Sequence, residues 1–88
     1  MVWRVDLAET AKKQLLKLGS NEARRITAFL RSKIDGADDP RRYGKALKGP
    51  LGDLWSYRVG DFRLICDLDD QICSVLVVQV GHRSDIYR

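Results

Sequence analysis

The residues with the clearest chemical potential are two arginines, Arg58 and Arg63, which stand on either side of Gly60-Asp61. Gly60-Asp61 is compatible with a two-residue hairpin turn, and such a turn would place the two arginines directly opposite each other. Like charges in that arrangement destabilise a sheet, so the pair is normally offset by a neighbouring acidic side chain or used to bind an anion. The register alone leaves both alternatives open. The acidic candidates are Asp61, Asp67 and Asp85.

The segment that follows the last predicted strand, residues 81–88, favours the alternative in which the arginine pair binds an anion. It adds two arginines and a tyrosine beside the arginine pair, namely Arg83, Tyr87 and Arg88. Guanidinium groups bind phosphate oxygens in a bidentate manner, and a tyrosine ring can stack on an unpaired base. The predicted site is therefore one for a nucleic-acid phosphate, formed by Arg58, Arg63, Arg83 and Tyr87, with Lys45 and Lys48 on the preceding loop.

Other chemistries find less support in the residue types. Cys66, Cys73 and His82 are too few for a four-ligand zinc site and fit no common metal motif, so we expect neither a metal nor a cofactor. No pair of carboxylates and no Ser-His-Asp arrangement can be assigned. Histidine is a common general base, but the direction of the His82 side chain next to Gly81 cannot be read from the sequence.

The size and composition of the chain limit what it can be. Its 88 residues predict a single domain over residues 1–88. The net charge of +4 is compatible with a nucleic-acid or acidic protein partner. No apolar run approaches the roughly 20 residues of a membrane helix, and the N-terminus lacks the apolar stretch of a secretory signal. We therefore expect a cytoplasmic protein with no membrane partner.

The first half of the chain predicts one strand followed by two helices. Trp3, Val5 and Leu7 alternate with polar residues, as in a strand. Apolar residues then recur at helical spacing in two sets, which are Ala8, Ala11, Leu15 and Leu18, and Ala23, Ile26, Leu30 and Ile34. Gly19 ends the first helix, Ser20 or Asn21 caps the second, and Gly36 closes it. The two helices should form an antiparallel hairpin.

The second half predicts a loop over residues 36–53, with a short helical turn around Lys45–Lys48, and then three strands. The strands are Leu54–Val59, Asp61–Leu68 and Gln71–Val80, joined by tight turns at Gly60-Asp61 and Asp69-Asp70. The fold class is therefore α+β in the order β-α-α-β-β-β, a small antiparallel sheet with the helical hairpin on one face.

Side-chain alternation assigns each strand residue to a face of this sheet. The helix-covered face should carry Trp55, Tyr57, Val59, Phe62, Leu64, Cys66, Leu68, Val75 and Val77. The open face should carry Ser56, Arg58, Arg63, Ile65, Asp67, Leu76, Val78 and Val80. Cys66 and Cys73 should face each other across the last hairpin as reduced thiols. Trp3 and Trp55 are expected in the core or at a partner contact rather than as base-stacking platforms.

Two strings in the chain resemble the RelE branch of the RelE/ParE toxin superfamily. They are LWSYRVGDFRLI over residues 54–65 and VQVGHRSDIYR over residues 78–88, and the stretches around residues 12–19 and 45–49 are similar too. The resemblance implies the toxin half of a bacterial or archaeal toxin–antitoxin module. RelE-type members cut messenger RNA in the ribosomal A site without metal, by attack of a ribose 2′-OH. A RelB-like antitoxin wraps and silences them.

The resemblance also implies roles for individual residues. Arg63 corresponds to the strand arginine beside the scissile phosphate, Arg83 to a charge-stabilising or proton-donating arginine, and Tyr87 to the tyrosine that orients the nucleotide. Arg58 stands where the best-studied member has a lysine. Lys45, Lys48 and Arg88 are expected to contact RNA or the ribosome. Ser56 stands where that member has a second lysine, which leaves the general base unassigned.

Two other functions remain open on the same fold. One is a ParE-like inhibitor of DNA gyrase, and the other is an inactive relative that acts as a co-repressor and reaches operator DNA only through its antitoxin. A further basic stretch is compatible with binding to ribosomal RNA or with a solvated helix face. It consists of Arg24, Arg25, Arg31, Lys33, Arg41 and Arg42.

Overall fold

The protein folds into a five-stranded sheet with two helices on one face. The structure is a computed structural model that describes residues 2–49 and 52–82. The elements are β1 (Arg4–Leu7), α1 (Glu9–Leu18), α2 (Ser20–Phe29), β2 (Lys45–Gly49), β3 (Gly52–Val59), β4 (Phe62–Asp69) and β5 (Ser74–His82). The strand order is β1-β5-β4-β3-β2. The predicted α+β class is confirmed. The sheet is mixed, because β1 runs parallel to β5 while the other pairs are antiparallel.

The two helices bury the stripes that their spacing predicted. Ala11 and Leu15 of α1 and Ile26 of α2 lie in the core. Past Phe29, α2 widens into a π-helical turn, Leu30–Ile34, where the backbone N–H of Asp35 donates to the Leu30 carbonyl at 2.7 Å. The turn keeps both of its ends buried against the sheet. The predicted cap at Ser20 or Asn21 is wrong, because Gly19, at φ 93°, is itself the N-cap residue and no side chain caps α2.

The short helical turn predicted around Lys45–Lys48 is wrong, since these residues form the edge strand β2. Lys45 pairs with Ser56 on β3, and Lys48 pairs with Asp53. Gly44 makes this pairing possible, because at φ 77° it lies so close to β3 that any side chain would overlap the Ser56 carbonyl. Local sequence could not show this, since the strand exists only through its contact with β3.

The first hairpin confirms the predicted register. Gly60-Asp61 forms the turn, and Arg58 stands directly opposite Arg63. Tyr57, Leu64 and Cys66 are fully buried on the helix side. On the second face, Ser56 and Ile65 are each only 3 % exposed, so part of that face is covered as well.

The second hairpin differs from the prediction in its turn. Asp69 pairs with Ser74, so the connection spans residues 70–73 instead of a tight Asp69-Asp70 turn. Cys73 lies in this connection with φ 50°, and Cys66 pairs with Val77. The predicted opposition of the two cysteines is therefore wrong, although both are free thiols.

A β-bulge changes which face the end of β5 presents. Ile65 pairs with Gln79 whereas Cys66 pairs with Val77, so Val78 is an extra residue on β5. The bulge turns Val80 into the core, where it is 1 % exposed, and the prediction that placed it on the open face is wrong. Gln14 of α1 stabilises this point, since its Oε1 accepts the Val80 N–H at 2.6 Å.

No helix among the described residues is both long and apolar enough to cross a bilayer.

Candidate functional site

The arginine pair lies on the sheet face away from the helices, and its two side chains diverge. The exposed Arg58 donates from Nε to the Gly60 carbonyl at 3.3 Å, toward the hairpin turn. The half-buried Arg63 donates from Nη1 to Ser56 Oγ at 3.4 Å, away from that turn. Because the guanidinium groups point in opposite directions along the hairpin, the cost of placing like charges opposite each other is reduced.

The proposed acidic neighbours do not neutralise Arg58. Within the described part of the chain, Arg58 forms no ion pair, and neither Asp61 nor Asp67 forms one. Asp85 lies outside the described residues. Among those residues, Arg58 thus keeps an uncompensated positive charge on this face, which favours the anion alternative.

Lys45 joins the arginines on this face, because it lies directly opposite Ser56 on the edge strand. Residues directly opposite each other in an antiparallel pair project to the same side of the sheet. Lys45 is exposed, and no ion pair within the described residues engages it. Lys48 belongs to the same strand, opposite Asp53. The structure therefore places Lys45 in the site instead of on a flanking loop.

The remaining predicted site residues, Arg83, Tyr87 and Arg88, lie outside the described residues. Strand β5 carries the chain as far as Gly81, which pairs with Arg63, and then to His82, which pairs with Phe62. The chain thus reaches the arginine pair immediately before these three residues. Their roles stay predictions.

His82 stands on the opposite face from Arg63. Its partner Phe62 packs against the core, and the two rings meet edge to face at 5.9 Å and 81°. The direction that the sequence left open is thereby fixed, and it leads away from the arginine pair.

Two other titratable groups of β3 and β4, Tyr57 and Cys66, lie in the core on the helix side of the sheet. Tyr57 donates its hydroxyl to the Pro40 carbonyl at 2.7 Å, and burial raises the pKa of this phenol well above its usual range. Burial also raises the pKa of the Cys66 thiol to about 12. Neither group ionises near neutral pH, so neither is suited to act as a base or nucleophile.

Arg41, which belongs to the basic stretch identified in the sequence, makes several contacts within the fold. Its guanidinium lies 5.8 Å from the Trp3 ring centroid and 5.9 Å from that of Trp55. It forms a bidentate pair with Asp70 at 2.7 and 3.0 Å, and this hydrogen bonding lowers the pKa of Asp70. Sequence reasoning missed this cluster because its four residues lie in four separate segments. Trp3 is buried and Trp55 half-buried, as predicted.

Metal ligands do not converge in the part of the chain that the structure describes. Across residues 2–49 and 52–82, no three His, Cys, Asp or Glu side chains come close enough together to hold an ion. The cations that the structure brings together on the described part of this face are Arg58, Arg63 and Lys45.

Comparison with protein families gives one match over nearly the whole chain. The profile described as the ParE toxin of the type II toxin–antitoxin system parDE matches residues 5–87. The Toxin RelG of Mycobacterium tuberculosis is 34 % identical over 88 residues, which cover 100 % of this chain and 99 % of that protein.

Two solved structures resemble this fold over nearly their whole length. The toxin–antitoxin complex RelBE2 of Mycobacterium tuberculosis contains a chain with a TM-score of 0.83 and 29 % identity, covering 94 % of this chain and 100 % of that one. The archaeal RelE–RelB complex of Pyrococcus horikoshii gives a TM-score of 0.75 at 25 % identity, covering 97 % of this chain and 99 % of that one. The first structure is described as a toxin–antitoxin complex, and the second as a RelE–RelB complex.

Proposed function

The chain belongs to the ParE toxin family of type II toxin–antitoxin systems, and we propose that it is a ribosome-dependent endoribonuclease that cuts messenger RNA. The observation that carries this proposal is the cross-strand pair Arg58–Arg63 with Lys45 on the same face. Three cations on one small surface are electrostatically complementary to the negatively charged RNA backbone.

The reaction proposed is attack of a ribose 2′-OH on the adjacent phosphorus. The bond from the 2′ oxygen to phosphorus forms, the bond to the 5′ oxygen breaks, and a 2′,3′-cyclic phosphate and a 5′-OH result. The 2′-OH loses its proton to a base, and the departing 5′ oxygen gains one. Charge builds on the phosphate oxygens, and fixed guanidinium groups stabilise it. In-line placement of the reacting atoms lowers the barrier further.

Arg63 is the residue best placed to contact the reacting phosphate. It is half-buried and held by Ser56, so its guanidinium is more fixed than that of an exposed arginine. Arg58 lies opposite and adds positive charge. We assign charge stabilisation or proton donation to Arg83, orientation of the nucleotide to Tyr87, and backbone contacts to Lys45, Lys48 and Arg88.

Tyr57, Cys66 and His82 are each poorly suited to act as the general base. The pKa values of Tyr57 and Cys66 are raised, and His82 faces away from Arg63. We propose that placement and positive charge carry the catalysis, and that it proceeds without a cofactor or metal.

A RelB-like antitoxin is the partner proposed for neutralisation, because relatives of this fold are found in RelB complexes. The net charge of +4 suits an antitoxin segment that carries acidic residues. The ribosome and messenger RNA are the proposed targets, and operator DNA would be reached only through the antitoxin.

The test of the function is Arg63→Ala, assayed as single-turnover cleavage of ribosome-bound messenger RNA. We expect the rate to fall by ~10²–10³, as for the loss of one preorganised donor to a developing charge. Arg4→Ala is the matched control, since Arg4 is exposed on the same sheet face, on β1 at the opposite edge. Ribosome affinity should change little, because many cations share the backbone contacts. Normal cleavage by Arg63→Ala would refute the site.

A ParE-like inhibition of DNA gyrase is the second candidate, because the matching profile is described as a ParE toxin. Mapping of messenger-RNA 5′ ends after expression separates the two functions. Cuts within codons indicate the nuclease, and a DNA-damage response without cuts indicates gyrase inhibition. If neither messenger-RNA cuts nor a DNA-damage response is observed, the co-repressor is the remaining function.

A further inference from the structure

Ser56 is a buried polar residue in the middle of the candidate site. It is 3 % exposed, and its Oγ accepts the hydrogen bond from Arg63 Nη1 at 3.4 Å. A buried hydroxyl is costly unless it is hydrogen-bonded, and here its partner is a cation of the site. Hydrogen bonds of this length in unliganded sites commonly shorten when a substrate binds.

The strand register puts Ser56 between two cations. On one side, Lys45 of β2 lies directly opposite Ser56. On the other side, Ile65 of β4 is the direct partner, and Arg63 stands two residues before it on the same face. Directly opposite side chains start about 5 Å apart and diagonal ones about 7–8 Å apart. Side chains as long as lysine and arginine can therefore converge on one phosphate group above Ser56.

The backbone that carries Lys45 is fixed against β3. Trp55 donates from its indole Nε1 to the Tyr43 carbonyl at 2.7 Å. Gly44 then passes so close to the Ser56 carbonyl that no side chain would fit. Lys45 is the next residue, so its position relative to Ser56 is set by two contacts on its N-terminal side.

We propose that Ser56 is a positioning residue that turns Arg63 toward Lys45, so that these two cations hold the reacting phosphate across β3. The inference rests on the ribonuclease function proposed above. Ser56 is too buried to contact RNA and acts through Arg63. Its hydrogen bond also draws the Arg63 guanidinium away from Arg58, which stands directly opposite.

The test measures single-turnover cleavage of ribosome-bound messenger RNA and ribosome affinity separately, using the full chain. Ser56→Ala should lower the cleavage rate by about 10- to 100-fold, the range for losing a hydrogen bond to a charged group. Ribosome affinity should stay within about twofold, because the backbone contacts are shared among many cations. Ser56→Thr should retain the rate, since it keeps the hydroxyl and suits a strand.

The decisive comparison is the double variant. If Ser56 acts through Arg63, adding Ser56→Ala to Arg63→Ala causes no further loss of rate. Losses that multiply in the double variant would overturn the inference, and so would a wild-type rate in Ser56→Ala. Should Ser56→Ala fail to fold, the isosteric pair Ser56→Thr and Ser56→Val decides, because only the threonine retains the hydroxyl. Equal rates for that pair would overturn the inference.

Two controls isolate the site. Ser74→Ala removes a hydroxyl from the same face, opposite Arg4 on β1, and should leave the rate unchanged. Lys45→Ala should lower the rate by at least about tenfold, whereas Lys13→Ala on α1 should not. A wild-type rate in Lys45→Ala would overturn the inference while the ribonuclease function stands. A wild-type chain that cuts nothing would overturn that function, and the inference with it.

Discussion

Gln14→Leu tests how α1 supports the strand that leads to the site. In the wild-type protein, Gln14 Oε1 accepts the backbone N–H of Val80 at 2.6 Å, just past the β-bulge. Leucine fills a similar volume but cannot accept a hydrogen bond, so the Val80 N–H loses its partner. A buried donor left unsatisfied costs about 1–3 kcal/mol. For a domain of this size that cost lowers the melting temperature by roughly 4–8 °C per kcal/mol.

The assay is urea unfolding together with amide hydrogen exchange at Val80. Lys13→Leu is the matched control, because residue 13 is the exposed neighbour on the same helix and the substitution is the same. Gln14→Leu should lower the free energy of unfolding and the protection of the Val80 amide, while Lys13→Leu should change neither beyond about 0.5 kcal/mol. Unchanged protection of Val80 in Gln14→Leu would refute the reasoning.

Three further predictions concern the rest of the chain. Arg41 lowers the pKa of Asp70, so the pair stabilises the fold above the ordinary carboxyl pKa of about 3.9, and this stabilisation is lost as the pH falls through the lower folded-state value. Asp70→Asn should therefore flatten the acid side of the curve of unfolding free energy against pH, and an unchanged curve would contradict the pairing. Because burial raises the pKa of Cys66 to about 12, a thiol reagent should label Cys73 before Cys66 in the native protein, and the reverse order, read by mass spectrometry of peptides, would contradict the packing. Cleavage should persist in excess EDTA when spermidine keeps the ribosome intact, and a specific requirement for zinc or manganese would refute the metal-free proposal.

Local patterns in the sequence were enough to predict the elements with strong periodicity. The apolar stripes of α1 and α2 follow from helical spacing, and the alternation around Gly60-Asp61 predicts the β3–β4 hairpin with its arginine pair. These predictions succeed because each depends on residues within a few positions of one another. The pairing of Arg58 with Arg63 needs only a two-residue turn.

The predictions that failed depend on contacts between distant segments. The residues of β2 carry no strand pattern of their own, and they become a strand because Gly44 lets them approach β3. The bulge at Val78 reverses the face of Val80, and a residue of α1, Gln14, satisfies the backbone there. A one-residue change of register moves every later side chain to the other face, so alternation alone cannot predict the end of β5.

The features of the candidate site also fall into two groups, those that local sequence predicts and those that tertiary contacts determine. The sequence by itself determined that two arginines share a hairpin, because turn chemistry and side-chain alternation are local properties. Only the tertiary structure decided that Lys45 stands opposite Ser56, that Arg63 leans toward Ser56, and that Arg41 is held by Asp70. Each of these contacts joins strands or loops that are distant in sequence, and its geometry is set by the packing of the whole sheet.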